Sequence, residues 1–309
     1  MNARTLKGRK GVVALVSGVT LLAASALVAQ AVPSEDPEPT VGAKGAMLLD
    51  SAKGKPVYGK DVNTLRPQAS TAKIMVASVV LDTDDVDLDR KVPVRQGYRD
   101  YVAKRHASTA DLQTGDRVTV RQLLYAALLP SGADAAYALA DTFGTGATTA
   151  ERKRSFVARM NAKADELGLR KTTYTTFDGS GKDASTPKEL AKLARHAMRN
   201  PVFRKVVRAK KYEGEAPAAN GRVRTYTWEN TNLLLDAYDG VVGVKTGTTE
   251  RAGECLVFAA VRDGKTLVGT VMDSKDRFQD AARMLDRGFG SDDAKDLKIP
   301  EPEKDGPRD

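Results

Sequence analysis

Apolar and polar positions divide the chain into stretches of different character. Residues 2–10 carry four basic side chains and no acid, and residues 11–27 then run without a charge. Ala29-Gln30-Ala31 follows as a small-x-small site, ahead of the acidic, proline-rich stretch 32–42. A basic, then apolar, then cleavable order predicts a secretory signal over residues 1–31. The apolar run also approaches the length of a bilayer span, so a retained N-terminal anchor is the alternative. In both cases the basic flank predicts an exported chain. Residues 291–309 share the proline-rich, charged character of 32–42. Neither stretch can bury a core, which predicts a linker and a disordered tail on either side of a compact domain over 43–290.

Inside that region the periods alternate. Apolar residues at 46–49 and 57–58 flank Lys53-Gly54-Lys55 and predict a short hairpin. Helical spacing begins near Ser70 and continues through Ile74, Met75, Val79 and Leu81. Residues 121–142 read as helix interrupted at Leu129-Pro130-Ser131, because proline disfavours the helical conformation of the residue before it. Phe156, Met160, Ala164 and Leu167 recur one turn apart before Gly168, and a further helix is expected over about 187–199. Apolar runs at 241–244, 255–261 and 266–272 predict strands, the last two joined through Asp263-Gly264. Phe278, Ala282, Leu285 and Phe289 mark a terminal helix. With strands at both ends and helices between, the fold class expected is α/β in the broad α+β sense. It comprises an antiparallel sheet covered by helices from both termini, with an all-α half.

Composition narrows the chemistry. With 41% apolar and 29% charged residues of mixed sign, global disorder is excluded. One cysteine, Cys255, permits no internal disulfide, and with two histidines, His106 and His196, the usual zinc ligand sets cannot be built. Neither histidine has a second ligand at metal-binding spacing, so both read as surface or helix-face residues; Cys255, in an apolar run, reads as a small buried side chain. Catalysis would fall to Ser, Thr, Lys, Asp or Glu. The formal charge is +9, but removing residues 1–31 leaves 45 basic against 40 acidic residues, a charge of +5. That modest excess gives no argument for nucleic-acid binding. The basic cluster at 205–211 (KVVRAKK) reads as a solvated face, with contact to an anionic wall polymer as the functional alternative.

Three short motifs carry chemistry. Ser70-Thr71-Ala72-Lys73 opens an apolar helix, and a spacing of three puts Ser70 and Lys73 on one face. A serine hydroxyl becomes a nucleophile when a base takes its proton, and a lysine is such a base if its surroundings lower its pKa. An ordinary helix cap explains Ser70 equally well on spacing alone. For a second S-x-x-K, Ser185-Thr186-Pro187-Lys188, the cap reading is favoured: Ser185 or Thr186 caps a helix whose first turn holds Pro187. Ser131-Gly132-Ala133 follows Pro130 and is also compatible with a serine capping the helix after it. Lys245-Thr246-Gly247-Thr248 ends the run VVGV; a charge, a hydroxyl and a glycine at a strand end suit a carboxylate.

Together, in this order, the three resemble the S-x-x-K, S-x-N and K-T-G marks of the penicillin-recognising serine enzymes. Residues 64–75 (TLRPQASTAKIM), 122–136, 156–168 and 228–247 are similar to the D-alanyl-D-alanine carboxypeptidases among the low-molecular-mass penicillin-binding proteins. The resemblance spans 43–290 and implies a five-stranded antiparallel sheet with flanking helices and a helical half. It implies Ser70 as the acylated nucleophile, Lys73 as its base and Ser131 as the relay to the departing D-alanine. Lys245 and Thr246 would hold the terminal carboxylate of a peptidoglycan stem peptide, with Gly247 beside them. The backbone N–H groups of Ser70 and Thr248 would form the oxyanion hole. It implies no cofactor and acylation by β-lactams.

The sequence departs from the pattern at Ala133, where the family has asparagine. In the family that amide bonds the lysine and the substrate carbonyl, and its loss could cost roughly 1.5–3 kcal/mol, about ten- to a hundredfold in rate. Readings left open beside the carboxypeptidase are a DD-transpeptidase, a class A-like β-lactamase and a stem-peptide-binding protein without turnover. The β-lactamase would need a deacylating glutamate, for which only Glu166-Leu167-Gly168 offers itself.

Overall fold

The computed structural model describes residues 38–300. The expected signal (1–31), the first part of the linker and residues 301–309 of the tail lie outside the described residues.

The chain begins with the hairpin β1 (Gly45–Asp50) and β2 (Pro56–Lys60), then a two-residue strand β3 (Arg66–Pro67). The helices α1 (Lys73–Leu81), α2 (Gln96–Arg105), α3 (Val120–Leu128), α4 (Ala133–Phe143) and α5 (Thr149–Glu166) follow. Short strands β4 (Lys91–Pro93) and β5 (Arg117–Thr119) pair among them, and β6 (Ala184–Ser185) pairs with β3. Helices α6 (Pro187–Ala197) and α7 (Pro201–Arg208) precede a second hairpin, β7 (Lys211–Pro217) and β8 (Val223–Glu229). A single turn α8 (Leu234–Ala237) leads to strands β9 (Val241–Thr249), β10 (Gly253–Arg262) and β11 (Lys265–Ser274), and α9 (Arg277–Phe289) closes the fold.

The main sheet has the order β2-β1-β11-β10-β9, with every neighbouring pair antiparallel. Its inner strands are continuous apolar runs because both faces are covered. On β10 the period-2 alternation divides the side chains: Cys255, Val257 and Ala259 join one core, and Leu256, Phe258 and Ala260 join the other. The second core is closed by Ala281, Ala282, Met284 and Leu285 of α9, and the first merges with the helical half. Gly269 on β11 lies under the Phe258 ring, where an added Cβ would come within 2.3 Å of it.

The five-stranded antiparallel sheet and its helical partner are as expected, with three adjustments. One sheet face is covered by the C-terminal helix, but the other is covered by α6 from within the chain, not by an N-terminal helix. The helical half also carries the two-stranded β4–β5 sheet and the β7–β8 hairpin. Finally, the folded region exceeds 43–290. The amides of Gly42 and Ala43 donate to Asp280, and a 3-10 turn over Asp293–Asp296 buries Ala294, whose amide donates to Asp286. Among the described residues no helix is long and apolar enough to cross a membrane.

Helix α1 is the centre of the helical half, and every residue from Lys73 to Leu81 is buried. A helix apolar all round is an interior helix. Its first residue is nevertheless a lysine, and the site is built around that conflict.

Candidate active site

Ser70 lies in a 3-10 turn, Ala69–Ala72, that precedes α1. The turn is tight: Ala69 is left-handed (φ +48°), and Gln68 O accepts both the amide and the hydroxyl of Thr71. Two glycines let other backbone approach it. A Cβ on Gly247 would lie 2.9 Å from the amide nitrogen of Ser70, and one on Gly179 would lie 1.8 Å from Ala69 O. The turn is thus wedged between strand β9 and the 178–181 loop, with the Ser70 amide facing the strand. No side chain caps either the turn or α1, so the cap reading of Ser70 fails.

Lys73 is 2% exposed. Burying an ammonium without partners is prohibitive, so its contacts are its licence to be there. Its Nζ donates to Ser70 Oγ at 2.9 Å, Ser131 Oγ at 3.3 Å and the carbonyl of Asp178 at 3.4 Å. The Asp178 carbonyl is itself fixed. Tyr101 OH donates to the Asp178 carboxylate at 2.9 Å, and Asp183, fully buried, accepts the amides of Thr175, Thr176 and Gly181 to hold the loop. Burial and the Asp178 charge push the Tyr101 phenol far above its usual range, so it stays a donor.

Ser131 is fully buried and left-handed at φ +66°. It does not cap α4, whose cap position is Gly132 with no side-chain bond. The strained residue instead turns its hydroxyl back to Lys73. Ala133 begins α4, buried, so a methyl stands where the family has an amide. Asp134 does not replace that amide: its carboxylate accepts from Thr109 Oγ1 and from the amides of Ala110, Leu112 and Ala135.

Lys245, Thr246 and Gly247 are buried within β9, and Thr248 is partly exposed. The strand does not end at 244 as its apolar run predicts. It continues because Thr246 pairs with Leu256, Gly247 with Cys255 and Thr248 with Glu254 of β10. All seven residues singled out from the sequence therefore flank one place, where the Ser70 turn meets the edge strand β9.

Three further residues complete the arrangement. Thr231 shares a short hydroxyl–hydroxyl bond with Thr246, and its amide donates to Leu129 O at 3.2 Å, tying the Ser131 loop to β9. Arg277 donates to Thr248 Oγ1 at 2.9 Å, adding a cation beside the strand end. Arg251 donates to Gly181 O at 2.6 Å and links the β9–β10 turn to the 178–181 loop. None has a local pattern; only the stretch WENTN around Thr231 stood out.

Other candidates are structural. Thr186, not Ser185, caps α6, and Ser185 pairs with Thr172. Glu166 is exposed and paired with Lys163 at 2.7 Å. His196 contacts Asp82, and His106 is an exposed left-handed residue ending α2. Burial raises the Cys255 thiol to about 11, which leaves it inert as a nucleophile.

The geometry can deliver a serine oxygen, a lysine amine that reaches two hydroxyls, and a cationic strand edge to one ligand. Comparison with known proteins agrees. The profile of the family Peptidase_S11, described as D-alanyl-D-alanine carboxypeptidase, matches residues 29–276. The D-alanyl-D-alanine carboxypeptidase of Streptomyces sp. (strain K15) is 45% identical over 287 residues, which is 91% of this chain and 98% of that protein. A D-alanyl-D-alanine carboxypeptidase of Mycobacterium tuberculosis is 35% identical over 263 residues, 82% of this chain and 84% of that one. The crystal structure of the Streptomyces K15 DD-transpeptidase superposes with a TM-score of 0.81 at 47% identity, covering 82% of this chain and 100% of that one. The chain thus belongs to the D-alanyl-D-alanine carboxypeptidase family of serine peptidases.

Proposed function

We propose that this serine D-Ala-D-Ala carboxypeptidase works through an acyl-enzyme on Ser70. The observation that carries the reading is the buried Lys73 amine within reach of both Ser70 and Ser131. Ser70 Oγ attacks the carbonyl between the two D-alanines of a peptidoglycan stem peptide, and its proton passes to the Lys73 amine acting as base. The oxyanion that forms is met by the backbone N–H groups of Ser70 and Thr248. Collapse breaks the C–N bond, and Ser131 relays the proton from Lys73 to the leaving D-alanine nitrogen. Lys245 and Thr246 hold the terminal carboxylate, with Gly247 leaving room for it. Water then attacks the ester, the reverse proton path applies, and the shortened peptide departs. β-Lactams acylate the same oxygen.

A second reading has a specific support. A similar solved structure is described as a DD-transpeptidase, which supports an amine in place of water as the acceptor in this chain too. A class A-like β-lactamase route is disfavoured, since Glu166 faces solvent with Lys163 and is not among the groups around Ser70. We place the protein outside the cytoplasm, with residues 1–31 as signal or anchor and 32–42 as a spacer.

The test is D-alanine release from a peptide ending in D-Ala-D-Ala, with wild type beside Ser70→Ala. Release with an acyl-enzyme trapped by penicillin on Ser70 is expected. Penicillin labelling without release of D-alanine would leave a stem-peptide binder; rapid hydrolysis of the bound penicillin would restore the β-lactamase. An added amine that diverts the acyl group from water sets the transpeptidase share.

A further inference from the structure

We propose that a second, basic groove binds a phosphodiester polymer. The groove has a volume of about 1540 Å³ and lies between the C-terminal end of α6, helix α7, α8 and the first residues of β9. It includes none of the residues of the catalytic cleft. Its cations are Arg195, Arg199, Arg204, Lys205, Arg208 and Lys210, against the carboxylates of Asp236 and Asp239. Both carboxylates are already met, Asp236 by Lys210 and Asp239 by Arg262 at 4.0 Å. A positive excess therefore remains on one concave surface.

The cluster at 205–211, read from sequence as a solvated face, supplies half of this array; the fold adds Arg195 from α6, Arg199 from the turn after it and Arg204 from α7. Two of the arginines are held in place by carbonyls. Arg195 Nε donates to Ser51 O at 2.5 Å, and Arg204 Nη1 donates to Met198 O and Arg199 O at 2.9 and 2.8 Å. Arg199, Lys205 and Arg208 are exposed, and among the described residues none has an acidic partner. On α7 the arrangement is forced by amphipathicity: Phe203, Val206 and Val207 are buried, leaving Arg204, Lys205 and Arg208 on the outer side.

Guanidinium groups in such a row recognise phosphate. The groove is larger than the roughly 300–1,000 Å³ of a small-molecule site, which suits a chain of anions more than a single one. It offers no stacking platform for bases, since its one aromatic side chain, Tyr238, is buried and covered by Arg262. It is concave with only Val261 as an exposed apolar side chain on its lining, too little to insert into a membrane. The occupant is a linear polyol-phosphate chain of the cell envelope. Strand β9 connects groove to site: Val241 and Val242 line the groove, and Lys245–Thr248 stand about 10–20 Å further along. A polymer held there anchors the enzyme beside its stem peptides. Only the choice of envelope polymer rests on the exported location proposed above.

The experiment titrates the full chain with poly(glycerol phosphate), inorganic phosphate, dextran and phosphatidylglycerol vesicles, at low and high ionic strength. The expected result is binding to poly(glycerol phosphate) alone, weakened by salt. A variant carrying R199E, K205E and R208E should bind about a hundredfold more weakly, with D-alanine release from a free peptide unchanged. That unchanged release also shows that the variant is folded and separates this inference from the catalytic one. No polymer binding, or equal binding by the variant, overturns the proposal. So does vesicle binding without polymer binding, saturation by inorganic phosphate at the same concentration of anion, or a dimer that the variant abolishes.

Discussion

The chain contains S-x-x-K twice, and the two copies have opposite fates. In Ser70–Lys73 the lysine is buried and the serine partly exposed. In Ser185–Lys188 the serine is buried against Thr172 while the lysine is exposed. Identical spacing therefore says little; what differs is which end of the motif the fold buries. A buried amine must find acceptors, and those of Lys73 include the hydroxyls of Ser70 and Ser131. An exposed amine is satisfied by water and does no chemistry on its neighbour.

This contrast can be broken experimentally. The largest effect is expected at the serines: Ser70→Ala should lower D-alanine release by about 10⁴-fold or more and abolish penicillin labelling. Ser185→Ala should keep the label and lose about 1–3 kcal/mol of stability, read by denaturant unfolding. Next come the lysines. Lys73→Met should cost about 10²–10⁴-fold in acylation rate, whereas Lys188→Met should leave rate and stability within about 0.5 kcal/mol of wild type. A smaller effect is expected from Thr231→Val, which removes the tie between Thr246 and the Ser131 loop. Acylation should slow by about tenfold, with unfolding changed by about 1 kcal/mol.

The smallest effect sharpens the rule from the acidic side. Asp116 is a fully buried carboxylate; burial raises its pKa, but hydrogen bonds from Tyr226 and Arg224 outweigh that and hold it below the usual 3.8. A folded pKa below the unfolded one stabilises above 3.8 and loses that contribution as pH falls toward the folded value. Asp116→Asn should therefore be less stable at neutral pH and show a flatter acid limb below about pH 4. Unfolding curves between neutral pH and pH 3 measure this.

The parts of the fold with a local period were legible in the sequence. The broken helix at Leu129-Pro130-Ser131 and the Asp263-Gly264 hairpin stand where their turn residues put them. Helix α2 was not legible, because Tyr98 is its only buried residue and the segment has no apolar stripe. The β7–β8 hairpin was missed although its signals exist: Asn220-Gly221 at the turn and alternation through Tyr226 and Trp228. In the site, the motif residues were found by spacing and resemblance. Asp178, Thr231 and Arg277 were not, because each acts across the fold, at separations of 105, 15 and 29 residues from Lys73, Thr246 and Thr248. The end of β9 was misjudged because Lys, Thr and Gly resemble a strand terminus until β10 is seen pairing with them.

The strand order has a consequence in time. Gly45 pairs with Met272, so the sheet has its first strands beside its last one. The helices between them form mainly from residues near one another in the chain, and can acquire structure while synthesis continues. The strand bearing Lys245 has no β10 to pair with until the chain has passed residue 262, and β1 has no β11 until it has passed residue 274. The cleft that binds the substrate is therefore assembled last, and an interrupted chain is helical, open-edged and without activity.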